Sequence, residues 1–307
     1  MRVWRGLGAA PPDLGRSVVT IGVFDGVHLG HQRIVWRAVA RAAELRAPAV
    51  AVTFDPLPEA VVRPDAAPLL LTTIDRRLEL LGGLGLDGAC VIEFTPAFAQ
   101  IEPADFATSV LVDTLRAVDV VVGENFMFGR RAAGDVGLLR DLGATSGFMV
   151  DAVSLVGNDG SGPQPFSSTW IRARIAAGEV EAAAKALGRP HRLEGVVVHG
   201  DHRGRELGYP TANLELPPRL AVPADGVYAG WLDDMPAAIS VGANPTFSGV
   251  DRRVEAYAID RSGLDLYGRA MTLDFVARLR GMVAFDGVEP LLVQMAADVE
   301  ACRAILG

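Results

Sequence analysis

The first half of the chain alternates short apolar runs with stretches whose apolar residues recur every three or four positions. Residues 17–23, 49–54, 89–94, 118–123 and 148–153 predict strands. Between them, 30–46, 75–84, 104–115 and 136–142 predict helices, the first carrying Ile34, Val35, Ala38, Val39, Ala42 and Leu45 on one face. Strands that are apolar throughout and separated by helices argue for a doubly wound parallel sheet covered on both faces. Two more helical patterns follow at 168–177 and 180–187. After "LGRPHR" the texture changes. Residues 194–199, 226–232, 237–241, 253–259 and 270–276 read as strands separated by turns rich in Gly, Pro, Asn and Asp. That pattern predicts an antiparallel barrel or sandwich. A last helix, 288–306, places Val288, Leu292, Met295, Val299 and Leu306 along one stripe, expected to pack on the barrel. The expected boundary falls at 187/188, giving an α/β domain over 1–187 and a β domain over 188–307.

Composition narrows the function classes. The 307 residues suffice for two cores. The formal net charge is -8 and no run of five basic residues occurs, which argues against duplex nucleic acid as a partner. No apolar stretch is long enough to span a membrane, and the N-terminal residues lack the apolar core of a signal peptide. Cys90 and Cys302 lie far apart, with neither zinc spacing nor a disulfide framework; they read as small buried apolar residues in a reducing cytoplasm. Among 29 basic side chains only Lys185 is lysine, and it sits in the helical stretch "EAAAKALG". A Walker-type loop and a protein kinase each need a lysine in a particular setting that is lacking here. A nucleotide would therefore be handled by backbone amides, histidine, arginine and metal.

"TIGVFDGVHLGH", residues 20–31, joins the first long strand to the first helix. Ligands of such sheets sit at the carboxyl ends of the strands. A helix N-terminus offers free amides and a partial positive charge, and Gly26 and Gly30 allow close approach by a phosphate. His28 and His31 can donate to phosphate oxygens as charge shifts during transfer. The competing reading is that one histidine merely caps the helix. Metal binding lacks a third nearby ligand.

These residues resemble a known family. "GVFDGVHLGH" is similar to the nucleotidyltransferase signature of bacterial bifunctional riboflavin kinase/FAD synthetases. "VVGENFMFGRRAAGD" resembles their G-x-[DN]-F-x-F-G segment, and "FSSTWIR" their S-S-T-x-x-R segment. "GDHRGRELGYPTANL", residues 200–214, looks like the riboflavin kinase signature. It is followed in family order by "DGVYAG", "VGANPTF", "VEAYAID" and "DLYG". The resemblance implies two activities: phosphorylation of riboflavin by ATP to FMN, and transfer of AMP from ATP to FMN to give FAD. It implies His28 and His31 as catalytic groups of the transferase. Gly22, Phe24, Asp25, Gly30, Ser168, Thr169 and Arg172 are then ATP or phosphate contacts, and Asn125 lies in the nucleotide and flavin site. In the kinase it implies Glu255 as general base, Thr211 and Asn213 as ligands of Mg²⁺, Gly200 and Arg205 as phosphate contacts, and Arg280 at the flavin. Without the family, Ser168 and Thr169 read as helix caps, Asn213 as a turn residue, and Glu255 as one strand glutamate among many.

The chain departs from the family pattern at two positions. Leu57 stands where histidine is expected in "TFDPLP", and Pro165 where arginine often precedes S-S-T. Both fall in the transferase half, so weakened adenylyl transfer is expected, with a kinase-only enzyme as the alternative. A non-catalytic flavin- or nucleotide-binding regulator would be expected to lack Thr211 or Glu255, and both are present.

Overall fold

A computed structural model of the chain describes residues 1–154, 166–200, 208–246 and 249–307, the side chains of 243–246 and 249–251 excepted. By contacts it divides into two compact units. One comprises Met1–Pro68 and Thr72–Ser167; the other comprises Leu69–Leu71 and Ser168–Gly307.

The first unit is built on a six-stranded parallel sheet. Its strands are β1 (Arg2–Arg5), β2 (Ser17–Ile21), β3 (Ala49–Phe54), β4 (Gly88–Ile92), β5 (Ala117–Gly123) and β6 (Met149–Val153), ordered β1-β4-β3-β2-β5-β6. Its helices are α1 (Leu29–Leu45), α2 (Pro58–Val62), α3 (Ile74–Gly83), α4 (Pro103–Phe106) and α5 (Val136–Ser146). Every residue of β2, β3 and β4 is buried. Alternate side chains serve opposite faces. Val19, Ile21, Val50, Val52, Val120 and Val122 pack with Val110, Leu111 and Leu139 on one side. Val18, Ala49, Ala51 and Val121 meet Val35, Ala38 and Ala42 of α1 on the other. Double coverage is why these strands read as continuous apolar runs. The strand order reverses between β2 and β5, and their carboxyl ends flank the crevice where such sheets take ligands.

Two features of this unit differ from expectation. "RVWR" forms β1, a strand the apolar pattern misses because only one of its four residues is buried. The helix expected at 104–115 starts as α4 and continues as a π-helix over Ala107–Thr114.

In the second unit α6 (Ser168–Ala176) and α7 (Val180–Leu187) precede a closed six-stranded antiparallel barrel. Its strands are β7 (His191–Val198), β8 (Ala212–Glu215), β9 (Gly226–Leu232), β10 (Met235–Thr246), β11 (Gly249–Ala258) and β12 (Ala270–Arg280), ordered β10-β11-β8-β7-β12-β9. Closure removes the sheet edges and excludes the sandwich. Leu193, Val197, Leu214, Ile239, Val254, Leu273 and Phe275 fill the interior. The last helix, α8 (Val288–Leu306), runs against β9, β10 and β12. Only part of the expected stripe is buried. Val299 packs with Cys302 under the helix, whereas Val288 is 55% exposed.

Both cysteines are buried and free, and burial pushes each thiol up to about 11, Asp298 adding to the effect at Cys302. The native state therefore keeps its thiol protons while the unfolded chain, with thiols near 9, releases them. Stability is full below pH 9 and falls as pH rises toward 11, by about 1 kcal/mol per thiol near pH 10. Urea unfolding from pH 8 to 10.5 should show this fall, and the C90A/C302A double variant should show a shallower one. A thiol reagent at pH 8 should label neither cysteine in the native protein and both in denaturant.

Candidate active sites

The carboxyl end of β2 leads into a turn that does not follow ordinary backbone geometry. Phe24, Gly26 and Val27 all have positive φ, at 53°, 80° and 40°. The chain then enters α1 with His28 as N-cap, whose Nδ1 accepts from the amides of Gly30 at 3.1 Å and His31 at 3.4 Å. An Nδ1 that accepts places the neutral ring's proton on Nε2. The His31 ring stacks on that of His28 at 3.6 Å, and the buried Phe24 ring meets His31 edge-on at 5.3 Å. The glycines are needed for this arrangement. A Cβ at Gly30 would stand 3.0 Å from the His28 ring, and one at Gly22 would stand 2.9 Å from the Phe24 ring. The capping and catalytic readings of the histidine pair are therefore compatible, since His28 caps through one ring nitrogen and keeps a donor on the other. Asp25 is fully buried, and its carboxylate accepts from the amide and hydroxyl of Thr72. It holds the turn from within.

Asn125 follows β5, the neighbour of β2, and its side-chain oxygen lies 3.0 Å from where a Gly123 Cβ would be. Beside it a cleft of about 660 Å³ opens at the carboxyl ends of β2 to β5, starting at Ile21–Val23. Phe54, Phe94, Phe98, Phe106, Phe126 and Phe128 line it, half of the chain's twelve phenylalanines. Their rings form a continuous run of edge-on and tilted contacts 5.5–6.2 Å apart, with Phe126 and Phe128 stacked. An apolar slot walled by aromatic rings suits a flat polycyclic ligand. In the sequence only Phe54 in "TFDPLP" and Phe126 and Phe128 in "ENFMFG" fall in motifs, and nothing there marks the six as neighbours. Leu57 is 3% exposed at the start of α2, so this position serves packing.

Ser168 and Thr169 open α6 and belong by contacts to the second unit, as does Arg172. The Arg172 Nε donates to the Leu69 carbonyl at 2.6 Å. Pro165 and Arg205 lie outside the described residues.

On the barrel the expected kinase residues come together from three segments. Glu255 of β11 faces Asn213 of β8 directly in the antiparallel ladder. The Thr211 hydroxyl donates to Glu255 Oε2 at 3.2 Å. A Cβ at Gly200 would fall 2.3 Å from the Asn213 amide nitrogen, so a side chain there would displace the Asn213 amide. Val254 and Ala256 point into the barrel, leaving Glu255 on the outer face, where Tyr209 and Tyr257 pack edge to face at 5.1 Å. Thr211 also lines a cleft of about 290 Å³ with Pro210, Arg261 and Tyr267. Three oxygen-bearing side chains without histidine or thiol match the preference of a hard cation such as Mg²⁺. Arg280 lies apart from this group. Its Nε and Nη2 grip the buried Asp298 carboxylate at 2.6–3.2 Å, and its Nη1 donates to the Gly281 carbonyl.

A family model described as FAD synthetase matches residues 10–169, and one described as riboflavin kinase matches residues 187–306. A bifunctional riboflavin kinase/FMN adenylyltransferase from Pseudomonas fluorescens is 37% identical over 310 residues, covering 99% of this chain and 98% of its own. One of the same description from Escherichia coli K12 is 32% identical over 295 residues, covering 94% and 93%. A crystal structure described as a macrolide-efflux protein from Streptococcus pneumoniae superposes with a TM-score of 0.90 at 32% identity over 99% of both chains. Among the described residues of the present chain no helix is long and apolar enough to cross a membrane. The chain belongs to the bifunctional riboflavin kinase/FMN adenylyltransferase family.

Proposed function

We propose that this chain makes FAD from riboflavin in two ATP-dependent transfers, with residues 188–307 serving the first and 1–187 the second. The observation that carries the reading is that each set of expected catalytic side chains closes up within its own unit. His28 and His31 stack at the mouth of α1, and Glu255 meets Thr211 and Asn213 on the barrel. Family matches to both halves of one chain, and relatives covered over nearly their whole length, support two activities over the kinase-only alternative. The boundary at 187/188 is supported by the start of the riboflavin kinase match at 187, although α6 and α7 group by contacts with the barrel.

In the first transfer the ribityl 5′-hydroxyl of riboflavin attacks the γ-phosphorus of ATP, and ADP leaves. Glu255 is the base that takes the hydroxyl proton, and the Thr211 hydroxyl orients its carboxylate. Thr211 and Asn213 would hold Mg²⁺ together with the ATP phosphates, with Gly200 and Arg205 as further phosphate contacts. The cation supplies neutralisation of the phosphate charge that builds up during transfer.

In the second transfer a phosphate oxygen of FMN attacks the α-phosphorus of another ATP. The bond from that phosphorus to the β-phosphate oxygen breaks, and pyrophosphate leaves. The aromatic cleft takes the flavin ring, bringing the FMN phosphate to the turn at Gly22 and Val23. The ring N–H groups of His28 and His31, at the positive end of the α1 dipole, stabilise the charge shifting onto pyrophosphate. Asn125 borders the flavin slot; Ser168, Thr169 and Arg172 are assigned to the ATP phosphates, and Arg280 to the flavin in the kinase, from the resemblance alone. Two buried thiols suit a reducing cytoplasm.

Glu255→Gln should lower FMN formation from riboflavin by at least 10²-fold and leave FMN-to-FAD conversion within twofold, as read by chromatography of the three flavins. Equal loss of both activities would count against separate sites. His28→Ala and His31→Ala should lower kcat for FAD formation by 10²-fold or more while shifting the Kd for ATP far less, because groups that meet developing charge act in the transition state. Weak ATP binding with normal turnover would refute the assigned role. His28→Ala should also destabilise the unit by about 1 kcal/mol through loss of the helix cap, visible in thermal unfolding.

A further inference from the structure

The turn that carries His28 and His31 is strained, and its strain is held by groups outside the signature. Phe24 and Val27 are bulky residues in the left-handed region, and such conformations persist only where surrounding contacts over-determine them. The contacts come from β3 and from the start of α3. The Thr72 amide and hydroxyl both donate to Asp25 Oδ1, at 3.1 and 3.2 Å, and the same hydroxyl oxygen accepts from the Gly26 amide at 3.2 Å. Beneath them Arg77, 1% exposed, places Nη2 3.9 Å from Asp25 Oδ1 and donates from Nη1 to the Phe54 carbonyl at 3.0 Å and the Thr53 hydroxyl at 3.4 Å. The Thr53 hydroxyl in turn donates to the Val23 carbonyl at 2.9 Å. The strained turn is thus clamped on both sides: at Val23 through Thr53, and at Asp25 and Gly26 through Thr72. Asp25 and Arg77 are buried, so solvent offers no substitute partner for either.

We propose that Thr72 and Arg77 are positioning residues for adenylyl transfer, acting through Asp25 to hold the strained turn that aims His28 and His31. The inference rests on the transferase reading given above. Both residues are buried beneath the turn. Thr72 is the more telling of the two, because one hydroxyl donates to Asp25 and accepts from Gly26, a double role that valine of the same shape cannot fill. Displacement of catalytic groups by about 1 Å can cost 10²-fold in rate.

The test compares Thr72→Val with Thr72→Ser in the full chain, measuring kcat and KM for FAD formation from FMN and ATP, the Kd of FMN by flavin fluorescence, and FMN formation from riboflavin. Thr72→Val should lower kcat for FAD formation 10- to 100-fold with FMN Kd and FMN formation within twofold of wild type. Thr72→Ser should recover kcat to within threefold. Asp25→Asn, which keeps an acceptor for Thr72 but removes the charge facing Arg77, should lower kcat in the same sense and keep FMN binding if Thr72→Val proves unstable. Wild-type kcat in Thr72→Val, equal loss in Thr72→Val and Thr72→Ser, or a loss confined to KM would each overturn the positioning role. A wild-type chain that forms FMN but no FAD would instead overturn the transferase reading itself.

Discussion

A buried strand that hands its chain directly to a helix leaves amides at the helix start that need acceptors. Here that constraint falls at the end of β2, the central strand of the sheet, and His28 meets it with Nδ1. The rest of the transferase site follows from this bond. With one ring nitrogen spent on the Gly30 and His31 amides, the other carries the proton and can serve as donor. The capped ring lies over Gly30, so a side chain there would press on it from 3.0 Å. His31, one turn into the helix, stacks on the same ring, so one cap fixes two imidazoles. The cost is a backbone forced to positive φ at Phe24 and Val27, and the buried Asp25 network answers that cost.

The barrel solves its placement problem by register instead. An antiparallel ladder sets residues directly opposite each other, and a slip of one residue would turn every side chain to the other face. Glu255 opposite Asn213 and Ser240 is such a pairing. The apolar interior enforces it, because Val254 and Ala256 flank Glu255 and must both point inward. The Glu255 carboxylate is thus aimed outward by the packing of its neighbours, and Thr211, just ahead of β8, arrives beside it because β8 pairs with β11.

This contrast explains what the sequence makes legible. The sheet is readable because fully buried parallel strands are continuous apolar runs, and the histidine pair because its glycine spacing has few other uses. β1 is not, since an edge strand with one buried residue has no pattern. Nor is the aromatic cleft: Phe54 ends a strand, Phe98 and Phe106 sit in helical turns, and Phe126 and Phe128 follow β5, so each reads locally as ordinary core. Only the sheet topology gathers them at one end. Thr72 and Arg77 escape for the same reason, as they lie about fifty residues from the turn they hold. The stripe on α8 misleads at its start because helical periodicity predicts a face and not how far along the helix the partner extends.

The near-absence of lysine takes on a different meaning once the arginines are placed. Three buried aspartates each face an arginine: Asp25 faces Arg77, Asp119 is held by Arg41 through two bonds of 2.7–2.8 Å, and Asp298 is gripped by Arg280. A buried pair of this kind adds little net stability, yet losing one partner strands a charge and costs several kcal/mol. Each arginine is therefore kept by its aspartate, and the planar fork that suits two-point pairing is something lysine lacks. These three arginines are structural, tying α3 to the β2 turn, α1 to β5 and β12 to α8. At the β2 turn the buried cation is committed to Asp25, so the side chains gathered at the mouth of α1 are the two stacked imidazoles of His28 and His31, held by the turn that Asp25, Thr72 and Arg77 pin from below.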